Sequence, residues 1–147
     1  MTGVYRIFGS EMSPYSLKVR SYFRYKNIPH EWLLRGANSE EYQKYARLPI
    51  VPTLATPDGE GLQDSTPIIE GLEAQVPAPA IHPDDSTLKF LSQLIEEFGD
   101  EWGNKWMFHY RWKREVDQVS AAQRIVADMM PGAPDADKSA MVEQVQG

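Results

Sequence analysis

Two short stretches carry residue types suited to holding a peptide-like ligand: Val51-Pro52-Thr53-Leu54-Ala55 and Leu62-Gln63-Asp64-Ser65, joined through a turn at Asp58-Gly59. Proline at the start of a strand gives up one ladder donor. A cis Val51–Pro52 bond, accessible to X-Pro at moderate cost, would aim the backbone N–H and C=O of Val51 outward, where an extended ligand could pair with them. Asp64 offers an acceptor and Ser65 a hydroxyl donor where the next helix begins. An ammonium and a carboxylate of one ligand could be held there together. The alternative reading is an ordinary hairpin followed by a cap residue.

The elements that must position these residues are legible upstream. Val4 to Phe8 reads as a buried strand, and Gly9 to Ser16 as a loop entering a helix. Ser13 suits the N-cap and Pro14 the first helical position. Val19, Tyr22 and Phe23 then fall on one face at helical spacing. Asn27-Ile28-Pro29 ends that helix, His30 to Leu34 reads as the next strand, and a short helix over Ser39 to Tyr45 precedes the Val-Pro hairpin.

In this order the chain resembles the glutathione transferase superfamily. Four motifs between about residues 4 and 76 carry the resemblance: the Ser-Pro-Tyr-Ser turn, Asn-Ile-Pro-His-Glu-Trp, Leu-Pro-Ile-Val-Pro-Thr-Leu, and Asp-Ser-Thr-Pro-Ile-Ile. The resemblance implies an α/β fold: a thioredoxin-like N-terminal domain with a mixed four-stranded sheet over residues 1–78, then a partial all-helical domain over 79–147. It also implies a glutathione transferase using glutathione as co-substrate and no metal, acting on a small apolar electrophile, and assembling as a homodimer.

The chain has no cysteine. Disulfides and thiolate metal sites are excluded. So is exchange through a protein thiol at the helix start, where related folds place Cys-x-x-Cys or Cys-x-x-Ser. Here both positions are serine, Ser13 and Ser16, so the sulfur must arrive with the substrate. The resemblance then points to a serine-type mechanism. A thiol like that of free cysteine has a pKa of roughly 8.5, and lowering it by about two units takes roughly 2.7 kcal/mol of thiolate stabilisation. A hydroxyl donated by Ser13 at a helix N-terminus, with unpaired N–H groups and the helix dipole, supplies stabilisation of that order. Ser13 would be a hydrogen-bond donor to sulfur, with Ser10 and Ser16 as rivals. Tyr15 lies past the cap, and Tyr5 lies too early in the first strand.

The resemblance further assigns Val51 to the cysteinyl backbone of glutathione, and Asp64 and Ser65 to its γ-glutamyl end. Aspartate is one methylene shorter than the usual residue, and Leu48-Pro49 stands where many members have Asn-Pro. Lys44, Arg47 and Arg35 are all placed to meet the glycyl carboxylate.

Net charge is −6, which argues against a nucleic-acid partner. Arg111, Lys113 and Arg114 interleave with Trp112 and read as a solvated helix face. No apolar run approaches a membrane span and no signal-peptide pattern opens the chain, so a cytoplasmic protein is expected. Pro77 to Pro83 reads as a linker, and Asp84 or Asp85 as the cap of a long helix with Leu88, Leu91, Ile95, Phe98 and Trp102 on one stripe. The aromatics from Trp102 to Trp112 suit a core or an interface better than a pocket, although they could face an apolar substrate. Gly99 and Gly103 hint at a bend or a close helix approach. A further helix is expected over about Val116 to Met130, and another from about Asp135. Family members have more helices beyond, so exposed apolar surface and dimerisation are expected. The rival reading is a non-catalytic module of the same fold that uses the Trp102–Trp112 surface for contacts.

Overall fold

The computed structural model describes residues 3–146. Strand β1 (Tyr5–Gly9) leads through the Ser-Pro loop into helix α1 (Pro14–Tyr25), and β2 (His30–Leu34) returns parallel to β1. After the short α2 (Ser39–Gln43), strands β3 (Thr53–Ala55) and β4 (Gly61–Gln63) form an antiparallel hairpin, with β3 also antiparallel to β1. The sheet order is β2-β1-β3-β4, and α3 (Ser65–Gln75) follows. This mixed sheet is the thioredoxin-like arrangement expected from the sequence.

Apolar patterning decides the layering. Ile7 and Leu54 pack with Val19, Tyr22 and Phe23 of α1 and with Ile68, Ile69 and Leu72 of α3 on one face of the sheet. Phe8 and Ala55 pack with Tyr42 on the other. Successive strand residues point to opposite faces, so β1 is buried on both sides and reads as continuously apolar at Ile7-Phe8.

The helices after the linker are α4 (Ser86–Phe98), a π-helical turn (Gly99–Gly103), α5 (Asn104–Trp112), α6 (Glu115–Met129) and α7 (Asp135–Gln146). Asp85 caps α4, accepting from the Leu88 N–H at 2.9 Å. The two glycines read as a bend or close approach delimit the π-turn. A side chain at either would meet nothing within 4 Å, so close approach is not their role. No residue of the π-turn or α5 is buried. Of the core or interface placement expected for the Trp102–Trp112 aromatics, the core is not met within this chain: Trp102, Trp106, Phe108 and Tyr110 are exposed. Trp106 instead stacks edge-on against Phe98, with ring centroids 5.7 Å apart. No described helix is long and apolar enough to cross a membrane.

Candidate functional site

The loop from β1 to α1 brings three serines to one place and gives each a different environment. Ser13 has extended backbone and its Oγ accepts from the Ser16 N–H at 3.2 Å, which is an N-cap with proline at the first helical position. Its own hydroxyl proton has no acceptor among the described residues, and the side chain is half-buried on a cavity wall. The Ser10 hydroxyl donates to Asp128 Oδ2 at 2.6 Å and accepts from the Met12 N–H at 3.1 Å, so its proton is committed. Ser16 is fully buried and lines none of the cavities described.

Ser13 borders a cavity of about 540 Å³ that also touches Arg35, Val51, Arg111, Asp128 and Met129. A second cavity of about 410 Å³ is lined by Val51, Asp64, Ser65, Thr66 and acidic residues of α4 and the π-turn. Val51 belongs to both walls. The structure thus places Ser13 on one side of Val51 and the Asp64–Ser65 pair on the other.

The Val51–Pro52 peptide is cis. Among the described residues neither the N–H nor the C=O of Val51 pairs with another backbone group. Asp64 occupies the N-cap position of α3, yet its carboxylate makes no cap hydrogen bond, and its φ of 75° is a left-handed conformation unfavourable for a side-chain-bearing residue. Asp64 therefore caps α3 by position and not through its side chain. Ser65 is 1% exposed, and its Oγ has no hydrogen-bond partner although it lies on the cavity wall. A buried hydroxyl without a partner is costly unless something arrives to meet it.

Of the three basic candidates, only Arg35 lines the cavity with Ser13 and Val51; Lys44 and Arg47 do not. Arg35 donates to the Pro49 carbonyl at 3.2 Å and lies over the Tyr42 ring. Gln63 holds the Leu48-Pro49 turn. Its Oε1 accepts from the N–H groups of Arg47 and Leu48 at 2.9 and 3.0 Å, while its amide donates to Leu48 C=O at 2.9 Å. A glutamine on β4 gives no sequence signal that it will reach this turn.

Tyr15 is accounted for as well. Its hydroxyl donates to Asp100 C=O at 2.7 Å, and burial together with the nearby charges of Asp100, Glu101 and Asp64 holds the phenol above its usual pKa. Beneath it, Lys18 meets Glu96 and Asp100, the latter at 2.6 Å. Burial works against the Lys18 charge, but its hydrogen bonds to Asp100 and Glu96 outweigh that and raise its pKa. This cluster fixes the π-turn against α1.

Arg111, read from sequence as solvated, is half-buried, and its Nη2 donates to Met12 C=O at 2.8 Å. Asp128, unremarked in the sequence, accepts from Ser10 and from the Glu11 N–H, both at 2.6 Å. At Gly36 an added Cβ would collide with the carbonyls of Asp128 and Met129, so only glycine admits this approach of α6 to the loop after β2. No cluster of metal-ligating side chains occurs among the described residues.

The family profile described as "Glutathione S-transferase, N-terminal domain" matches residues 7–80, half of the chain. No curated protein matches in sequence. Among solved structures, a glutathione S-transferase from Methylobacterium radiotolerans in complex with glutathione sulfonate is 22% identical, with a TM-score of 0.63 over 96% of this chain and 63% of that one. One from Rhodospirillum rubrum is 19% identical, with a TM-score of 0.63 over 96% and 61%. A maleylacetoacetate isomerase from Anaeromyxobacter dehalogenans with bound GSH is 20% identical, with a TM-score of 0.58 over 97% and 68%. The chain spans less than two thirds of the length of the first two, and at these identities the likeness establishes the fold. With the family profile covering the sheet, the Ser-Pro helix and the Val-Pro hairpin, the chain belongs to the glutathione S-transferase superfamily.

Proposed function

We propose that this chain binds glutathione across the two cavities that adjoin at Val51, lowers the pKa of its thiol, and conjugates the thiolate to a small electrophile. The observation that carries the reading is the shared position of Val51, between a serine hydroxyl with an uncommitted proton and a buried, unpartnered Ser65 beside an uncapped Asp64. In this reading the cysteinyl backbone pairs with Val51, and the γ-glutamyl ammonium and carboxylate meet Asp64 and Ser65. Arg35 meets the glycyl carboxylate, and Ser13 donates to the sulfur. Residues 1–78 supply the glutathione side and 79–147 the acceptor side. A homodimer belongs to the same proposal, supported by the exposed apolar residues of α4 and the π-turn, among them Phe90, Leu94 and Trp102.

The chemistry needs no protein nucleophile. The thiolate attacks the electrophilic carbon, the C–S bond forms, and the thiol proton has already left to solvent. The test is a pH titration of bound glutathione by thiolate absorbance in wild type and Ser13→Ala. A thiol pKa about two units below roughly 8.5 in wild type, returning towards 8.5 in the variant, supports the proposal. Glutathione bound with an unshifted thiol, or not bound at all, removes catalysis and leaves a contact module of the same fold.

A further inference from the structure

We propose that Arg111 makes the acceptor side of the Ser13 cavity a site for electrophiles that carry an anionic group, a carboxylate above all. The inference rests on the glutathione reading and names the substrate class that reading leaves open. Arg111 stands on α5 and borders the cavity shared by Ser13 and Val51. Its contacts are a hydrogen bond from Nη2 to Met12 C=O at 2.8 Å and the Phe108 ring, 5.9 Å from the guanidinium carbon. Among the described residues no carboxylate pairs with it. Asp128 is the one acid on this cavity's wall; its Oδ2 accepts from the Ser10 hydroxyl and the Glu11 N–H, and it forms no ion pair with Arg111. The remaining guanidinium donors of Arg111 form a planar fork that fits a carboxylate. Burial alone, with no carboxylate to oppose it, holds the Arg111 pKa below its usual value.

The two cavities are opposite in sign. Arg35 and Arg111 face the Ser13 side together with the apolar side chains of Met12, Ile125 and Met129. Asp64, Glu97, Asp100 and Glu101 line the other side. An ammonium suits the acidic cavity, where Ser65 is the hydroxyl donor for the γ-glutamyl carboxylate, and any further anion is directed to the arginine side. Arg35 lies against Tyr42 and Pro49 on the sheet side, where the glycyl carboxylate is placed, which leaves Arg111 for the acceptor.

The probe pair is 4-chloro-3-nitrobenzoate and its neutral isostere 4-chloro-3-nitrobenzamide. In each the thiolate attacks the ring carbon bearing chlorine, the C–S bond forms, and chloride leaves with the C–Cl electron pair. Rates of kcat/KM are divided by the uncatalysed glutathione rate for the same compound. Wild type should favour the benzoate by about tenfold or more, Arg111→Gln should collapse that ratio towards one, and Arg111→Lys should retain part of it. Calorimetry of glutathione, and separately of 3-nitrobenzoate against 3-nitrobenzamide, reads the two halves independently and does not need the variants to fold. Glutathione binding and turnover without benzoate preference overturns the Arg111 inference alone. Absence of glutathione binding overturns the underlying reading and this inference with it.

Discussion

Asp128 Oδ2 accepts from the Ser10 hydroxyl and the Glu11 N–H, each at 2.6 Å, across more than a hundred residues of sequence. One carboxylate on α6 thereby holds the loop that delivers Ser13. Ser10 borders the same cavity as Ser13, and this contact commits its hydroxyl while that of Ser13 stays uncommitted.

Asp128→Ala should therefore act on both stability and the site. Hydrogen bonds to a charged group contribute about 1.5–3 kcal/mol each. Screening at this half-exposed position places the combined loss at about 1–3 kcal/mol in urea unfolding. Glutathione affinity should fall with it, as Ser10 and Ser13 lose their fixed arrangement. Unchanged affinity at reduced stability would show that α6 does not position the loop.

Ser65→Ala should separate stability from binding. The Ser65 hydroxyl is buried without a partner, so removing it relieves an unsatisfied group. The unliganded protein should be as stable as wild type or more stable by up to about 1 kcal/mol, while glutathione affinity drops by about tenfold. A clear loss of stability without ligand would mean that the hydroxyl serves the fold.

Local signals explain what was legible in the sequence. Ser13-Pro14 announces a helix start, Val51-Pro52 a strand entry and Asp64-Ser65 another helix start, each within a few residues, and the sheet follows from the strand patterning. The rest of the site depends on distant contacts. Gln63 reaches the Leu48-Pro49 turn from β4, and Arg111 and Asp128 reach the first loop from α5 and α6. No short-range pattern marks such residues, and an arginine among Trp112, Lys113 and Arg114 looks solvated until α5 is placed. The π-turn was half visible: Gly99 and Gly103 mark its ends, but only packing against Tyr15 and Lys18 shows its use.

The Lys18 cluster should give stability an acid and an alkaline limb. For Glu96, burial would raise the pKa, but hydrogen bonds from Lys18 and Thr66 outweigh it and hold the carboxyl below its usual value. Its contribution is present above the unfolded carboxyl pKa of about 4.3 and is lost as pH falls through the lower folded value. For Lys18 the folded pKa is raised, so its contribution is full below about 10.4 and is lost as pH rises through the folded value. Thermal unfolding from pH 2.5 to 11 should show both limbs in wild type. Lys18→Met should weaken both limbs, leaving on the alkaline side the part due to Tyr15 and Tyr22, whose phenol pKa values burial raises, and on the acid side the part due to Glu11, lowered by Arg20, and Glu73, lowered against burial by its hydrogen bond with Lys26. Identical profiles in both proteins would rule the cluster out.

Tyr15→Phe tests the assignment of roles around the sulfur. Tyr15 sits two residues past the cap and borders the acidic cavity, so a tyrosine donor to the thiol is its one rival role. Its hydroxyl is already given to Asp100 C=O at 2.7 Å, and acidic neighbours oppose its ionisation. Losing that bond removes a tie between α1 and the π-turn, worth about 0.5–1.5 kcal/mol. The bound thiol should still titrate as in wild type, in contrast to Ser13→Ala, and unfolding should move to lower urea by that modest amount. Should the thiol pKa rise in Tyr15→Phe and stay low in Ser13→Ala, the donor would be the tyrosine, and the Tyr15–Asp100 bond would have to break when glutathione binds.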